Sequence, residues 1–291
     1  GVQNPRSQYT YSAGGSVFIV DDLFNVNNMA NRNPSSYRIS EQQTNGVFGT
    51  ALIDYKGMFF LDLSVRNDWY STLTNPSDPD ISNNSALYGG ASASLLFSEA
   101  FKMETETFTF GKLRASYGVA GNGAPNPYLL LPTFSIESLQ FNNASLGRVT
   151  SGTFPGSNLK PTITKSFEVG VDLRFFRNRV GLDLTYYEQN TVDQLFRASL
   201  PRPTSYSSYF LNAGDVKNSG GEMALNLTPI KKQDLRWDVT FNFSSNTNTV
   251  VALAEGIDNL SGESARFNAN LLSEVGGQVN SIYGTVLMRD A

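Results

Sequence analysis

The chain has 291 residues, a formal net charge of −4 and a mean hydropathy of −0.25. It has no cysteine and no histidine, which excludes a disulfide framework, thiol chemistry, Ser-His-Asp triads and most zinc sites. No run of about 18 apolar residues occurs, so no transmembrane helix is expected, and the acidic balance leaves no basic nucleic-acid footprint.

In chain order, strands are predicted near 42–55 and 58–68, joined by Lys56-Gly57, and then near 86–98 and 108–118, joined by residues 99–107. Further strands are predicted near 166–176 and 179–189, joined by Arg177-Asn178, and near 216–228 and 235–246, joined by Pro229–Asp234. Between these hairpins lie long polar inserts at 69–85, 119–165, 190–215 and 247–279. Short and long connections therefore alternate along the chain.

The span Ser166–Ser244 carries the strongest pattern. Phe167, Val169, Val171, Leu173 and Phe175 alternate with Ser166, Glu168, Gly170, Asp172 and Arg174. Leu235, Trp237, Val239, Phe241 and Phe243 alternate with Arg236, Asp238, Thr240, Asn242 and Ser244. Successive strand residues point to opposite faces, so each strand has one apolar and one charged face.

Such faces suit lipid on one side and water on the other, as in an all-β transmembrane antiparallel β-barrel with short turns at one rim and long loops at the other. A strand of about 11 residues, rising roughly 3.3 Å each and tilted about 45°, spans an apolar band roughly 25 Å tall. A soluble antiparallel sandwich also alternates, but its loops need not alternate in length. Tyr55, Tyr117, Phe175, Phe176, Tyr186 and Tyr187 are read as strand-end aromatics, either an interfacial girdle or core packing.

The residues also carry a resemblance. LRASYGVAGN (Leu113–Asn122), the run Asn158–Phe196, the run Asn212–Leu253, GQVNSIYG (Gly277–Gly284) and the run Phe48–Leu73 resemble the SusC/RagA class of TonB-dependent outer-membrane transporters. Gly221 departs from the family pattern within Asn218-x-Gly220-x-Glu222 and is read as a bend or close approach.

The resemblance implies a barrel of about 22 strands, plugged by an N-terminal domain whose TonB box couples it to inner-membrane energy. A SusD-like surface lipoprotein would cap it and capture oligosaccharide or peptide. On this reading residues 1–291 are part of the barrel, about nine strands, without plug or TonB box. The start at Gly1 and the end at Ala291 are read as those of an internal fragment. The expected setting is the outer membrane of a Gram-negative, Bacteroidota-type bacterium. The expected role is nutrient import with no enzyme activity, no cofactor and no metal. A structural or adhesive barrel and a barrel enzyme are the alternatives.

Candidate contacts for substrate or lid are Trp69 and Tyr70 at the outer rim and Tyr128, Phe134 and Phe141 in the insert 119–165, which also holds Phe154. The bland readings are an interfacial anchor for the first pair and loop packing for the others. Gly121–Pro127 lacks the Lys-Ser/Thr of a phosphate loop. Asn75, Asp78 and Asp80 lack the pattern of a calcium loop. Glu168, Asp172 and Asp183 are expected to face water and pair with arginines such as Arg174 rather than to work as acid and base.

Overall fold

The structure is a computed structural model. It describes residues 2–3, 6–11, 36–75, 83–123, 126–131, 134–141, 144–149, 153–154, 159–200, 203, 206, 208–254, 257, 259–264 and 269–284.

Nine strands form the principal sheet: β1 (Val2–Gln3), β2 (Thr44–Tyr55), β3 (Phe59–Tyr70), β4 (Ser85–Leu95), β5 (Phe108–Asn122), β6 (Thr162–Phe175), β7 (Val180–Val192), β8 (Gly214–Lys231) and β9 (Arg236–Leu253). Each pairs with the strand before and after it in this order, always antiparallel, and Thr249 of β9 makes one further antiparallel bridge, to Gln278. This is an up-and-down meander of the kind that closes into a barrel when more strands are added. Among the described residues no helix is long and apolar enough to cross a membrane.

The alternation survives as continuous rows across the sheet. One row runs Tyr55, Phe59, Leu95, Leu113, Val171, Leu184, Met223 and Phe243 from β2 to β9. The next, toward the short turns, runs Leu173, Leu182, Leu225 and Phe241. A row on the opposite face runs Asp54, Phe60, Ser94, Arg114, Gly170, Thr185, Glu222 and Ser244. Val171 and Asp172 thus lie on opposite faces, as the alternation requires. Phe48, Leu52 and Phe60 are apolar residues of the polar face, opposite Arg66, Asp62 and Asp54.

Away from its long-loop rim, neither face of this sheet is covered. Leu52 is 73% exposed and Phe243 63%. A folded soluble monomer of this mass exposes roughly 12,000 Å², whereas this chain exposes 20478 Å². The sheet is a wall that needs lipid and further strands to cover it, not a self-contained core.

The short connections follow turn chemistry. The first turn is one residue longer than expected: Lys56–Met58 separate the paired Tyr55 and Phe59. Lys56 and Gly57 have the positive φ of a turn matched to strand twist. The Met58 amide donates to Tyr55 O at 3.1 Å, and Asp54 Oδ1 accepts the Gly57 amide at 2.8 Å. Phe176, Arg177 and Asn178 all have positive φ, and the Phe176 and Arg177 amides donate to Thr107 O of the adjacent turn and to Thr109 Oγ1 at the start of β5. The turn between β4 and β5 carries a single helical turn, α1 (Phe97–Ala100).

Pro229 belongs to a strand, not to the turn expected at Pro229–Asp234. A bulge between Leu227 and Ile230 absorbs its missing N–H, and β8 continues to Lys231. The turn is narrower, with the Lys232 amide donating to Leu235 O at 2.8 Å.

The strands are longer than their apolar runs. β7 ends at Val192 and β5 at Asn122, so Tyr117, Tyr186 and Tyr187 are not strand-end residues. Tyr117 and Tyr186 lie on the apolar face where it turns polar, and Tyr187 lies on the polar face. Tyr55 does end β2, and Phe175 and Phe176 gather at the short-turn rim with Phe97 and Phe108. Phe97 and Phe108 have centroids 6.1 Å apart, Phe108 and Phe175 5.5 Å, and Phe175 and Phe176 6.4 Å.

The long inserts contain their own strands. Arg6–Tyr11 pairs with Ser36–Glu41, so a further long segment precedes β2. Phe134–Phe141 pairs with Ala144–Val149, and Asn259–Ser264 pairs with Ala269–Glu274, which pairs with Ser281–Gly284. Thr153–Phe154 runs parallel to Ser208–Asn212, which is antiparallel to Leu195–Ser199.

Candidate functional site

The polar face is where solute chemistry is possible. Its centre is Arg114 on β5, which crosses β6 to reach β7. Arg114 Nη1 and Nη2 donate to Asp183 Oδ2 and Oδ1 at 2.9 and 2.7 Å. The same guanidinium contacts Thr185 Oγ1 and lies 3.7 Å from Glu168 Oε1. The crossing is possible because β6 has Gly170 between Arg114 and Thr185 in the row. A two-pronged arginine–carboxylate pair is the strongest and most directional of such contacts.

Nearer the short turns, Arg174 Nη2 donates to Asp172 Oδ2 at 3.2 Å and its guanidinium lies 4.7 Å from the Phe110 ring centroid. Arg236 Nε lies 2.7 Å from Asp238 Oδ2, and Thr228 Oγ1 donates to Asp238 Oδ1 at 2.7 Å. Asp172, Arg174, Asp183, Asn226, Arg236 and Asp238 line one hollow of this wall. Asp62, Ser92, Ser116, Glu168 and Tyr187 line a second, floored by small residues. Charges held by opposite charges and hydroxyls beside open space suit a wetted passage for polar solute. The carboxylates pair with arginines as the alternation implied, but Asp183 and Glu168 take Arg114 rather than Arg174. Nothing local in LRAS marks Arg114 as the partner of a residue 69 positions away; only strand register does.

The long-loop rim is built differently. Asp68 is 4% exposed and accepts both contacts of Arg66 Nε, at 2.8 and 2.9 Å, and the Tyr88 hydroxyl, with the Tyr70 hydroxyl 3.5 Å away. A buried carboxylate persists only when paired and hydrogen-bonded in this way. Tyr70, Leu73, Ala86, Leu130 and Leu159 form a buried cluster beside it. Leu130 and Leu159 pin two points of the insert 119–165. Asn212 ties that insert to the next one. Its Nδ2 donates to Lys160 O at 2.9 Å and Asp193 O at 2.7 Å, and its Oδ1 accepts the Lys160 amide at 2.8 Å.

The candidate contact residues do not form one patch. Trp69 and Tyr70 lie on opposite faces of β3. Trp69 is 42% exposed on the apolar face between Asn45 and Ser85. Tyr70 is buried and donates its hydroxyl to Gly121 O at 3.1 Å. Tyr128 is half exposed in a left-handed conformation, and its hydroxyl accepts the Glu41 amide at 3.2 Å. Phe134 and Phe141 are the terminal residues of one hairpin strand. Phe154 is exposed and packs edge-on against Tyr206 at 5.1 Å. Asp78 and Asp80, like Ala124 and Pro125, lie outside the described residues.

Beyond the sheet, Tyr283 donates to Glu274 Oε2 at 3.2 Å, and that carboxylate holds the Tyr283 hydroxyl above its ordinary pKa. Gly221 is neither a bend nor a close approach: its φ is ordinary, and a Cβ there would meet nothing nearer than Thr185 O at 3.7 Å. It opens a notch on the apolar face beside Tyr186, Met223 and Phe243.

Residues 2–283 match the family described as TonB dependent receptor-like, beta-barrel. The chain is 33% identical over 256 residues to TonB-dependent receptor P3 of Formosa agariphila, covering 86% of this chain and 25% of that protein. It is 26% identical over 235 residues to TonB-dependent receptor SusC of Bacteroides thetaiotaomicron, covering 77% and 23%. Among solved structures, the RagAB peptide importer in its closed-closed state superposes with a TM-score of 0.80 at 19% identity, over 94% of this chain and 30% of that one. The chain spans about a quarter of the length of the curated relatives it matches.

Proposed function

This chain belongs to the TonB-dependent receptor β-barrel family, whose members are proteins of the outer membrane, and on that premise we propose that it forms part of the wall and outer loops of an energy-coupled nutrient importer. The apolar face meets lipid and the polar face meets the water-filled lumen. The short turns lie in the periplasm and the long inserts lie outside the cell. The cargo is an oligosaccharide or a peptide, captured beneath a SusD-like surface lipoprotein. TonB acts through a plug supplied elsewhere in the protein.

The observation that carries this reading is the division of one sheet into an aliphatic face and a face of paired charges. The row through Arg114 and Glu222 backs directly onto the row through Leu113 and Met223. A structural or adhesive barrel also has a polar interior, so the dependence of uptake on TonB is what separates import from it. Bacteria lacking the full-length gene should fail to grow on one glycan or peptide source, and cells lacking TonB should show the same failure. Uptake that survives loss of TonB overturns energy-coupled import.

The lid is proposed to touch the insert 119–165, where Tyr128, Phe134 and Phe141 supply aromatic anchors among polar residues, the composition that concentrates binding energy at an interface. Trp69 and Tyr70 mark the rim beneath it. Excising the hairpin Phe134–Val149 from the full-length protein should leave a folded barrel, reduce co-purification of the surface lipoprotein and slow growth on the cognate nutrient. Unchanged co-purification and growth move the contact to another loop.

A further inference from the structure

The apolar face does not stay apolar to its outer end. Above the row through Val171 and Met223 comes Ala115, Val169, Tyr186, Gly221 and Ser245. Next comes Tyr117, Phe167, Glu188, Ser219 and Thr247, and then Val119, Lys165, Asn190, Lys217 and Thr249. The sequence of levels is aliphatic, then aromatic, then charged. This is the profile of a membrane edge, with hydrocarbon, aromatic belt and headgroups in that order.

We propose that Lys165, Asn190 and Lys217 form a site for the phosphate of an outer-leaflet lipid headgroup. The three sit in one row on β6, β7 and β8, with the two lysine Cα atoms about 10 Å apart by strand spacing. Lys217 Nζ is 2.8 Å from Glu188 Oε2, and Asn190 Nδ2 donates to Glu188 Oε1 at 3.3 Å. Glu188 is thereby held and neutralised by its own neighbours. Lys165 is exposed and pairs with no carboxylate among the described residues, which leaves one excess positive charge in the row. Directly below, the exposed Phe167, Tyr117 and Tyr186 offer an apolar floor for the first carbons of the acyl chains. The row continues the band that faces hydrocarbon, so its cations meet lipid phosphate at headgroup level, where basic residues bind anionic lipid.

The proposal rests on the outer-membrane reading above. The test purifies the full-length protein from native outer membrane and counts retained phosphorylated lipid by native mass spectrometry. The unaltered protein should carry the lipid. The double variant Lys165→Gln/Lys217→Gln should carry about tenfold less, Lys165→Arg should retain it, and Lys112→Gln on the opposite face should change nothing. Treating the lipid with phosphatase should abolish retention, and millimolar inorganic phosphate should not displace it. Equal retention by the double variant overturns the site. Displacement by inorganic phosphate overturns the lipid as its occupant. An unaltered protein recovered outside the outer-membrane fraction overturns the membrane reading instead.

Discussion

Gly170 lies beneath the guanidinium of Arg114: a Cβ at residue 170 would stand 2.6 Å from Arg114 Nε and 2.7 Å from Cζ. The missing side chain is what lets an arginine on β5 reach a carboxylate on β7. Gly170→Ala should therefore lift Arg114 off Asp183. In the wetted lumen that pair is partly screened, so the cost should be about 1 kcal/mol. The same change made in an Arg114→Ala background should cost almost nothing. A double-mutant cycle on the full-length protein refolded into lipid vesicles measures this, and additive losses would assign Gly170 a role unrelated to Arg114.

The division of faces sets the cost of charge. Leu173 and Phe241 share the apolar row with Leu182 and Leu225, whereas Thr240 donates to Asn226 Oδ1 at 2.8 Å on the other face. Leu173→Arg or Phe241→Arg should cost about 2–4 kcal/mol near the bilayer midplane, and Thr240→Arg much less. Unfolding in vesicles distinguishes them, and equal losses would contradict a lipid-facing row.

Sidedness can be read with single cysteines, because the native segment has none. Lys160 and Lys232 are both exposed, at opposite ends of the sheet. Lys160→Cys should react with a membrane-impermeant reagent in whole cells, and Lys232→Cys only after the outer membrane is opened. The reverse pattern inverts the topology.

Asn212 is the knot between two inserts, so its loss should loosen both. Asn212→Ala should raise protease cleavage within 119–165 and 190–215 together while the barrel stays folded. Asn212→Asp should be worse, since a carboxylate would replace the donor to Lys160 O and Asp193 O and face two carbonyls, a penalty of about 1–3 kcal/mol for unsatisfied groups. Cleavage rising in only one insert would show that the loops are independent.

Strand identity was legible because the side-chain period of two is local. Val171 and Asp172 had to part, whatever the rest of the chain did. The short turns were equally local, as Lys56-Gly57 shows. The ends of strands were not. Apolar alternation stops near Phe167 and Tyr186, but backbone pairing continues to Ile163 and Val192 between β6 and β7 and to Thr162 and Asn122 between β6 and β5, since pairing needs only a neighbouring strand. Pro229 looked like a turn until the bulge placed it inside β8.

The sequence by itself determined the alternating strands, the parity of short and long connections, and the family resemblance. These depend on residues adjacent along the chain. Tertiary structure alone decided that Arg114 meets Asp183 across Gly170. It also decided that Tyr70 is buried while Trp69 stays exposed, and that Asn212 joins two inserts. Each depends on residues distant in sequence, brought together by strand register for Arg114 and by the packing of the inserts for Tyr70 and Asn212. No single segment encodes it.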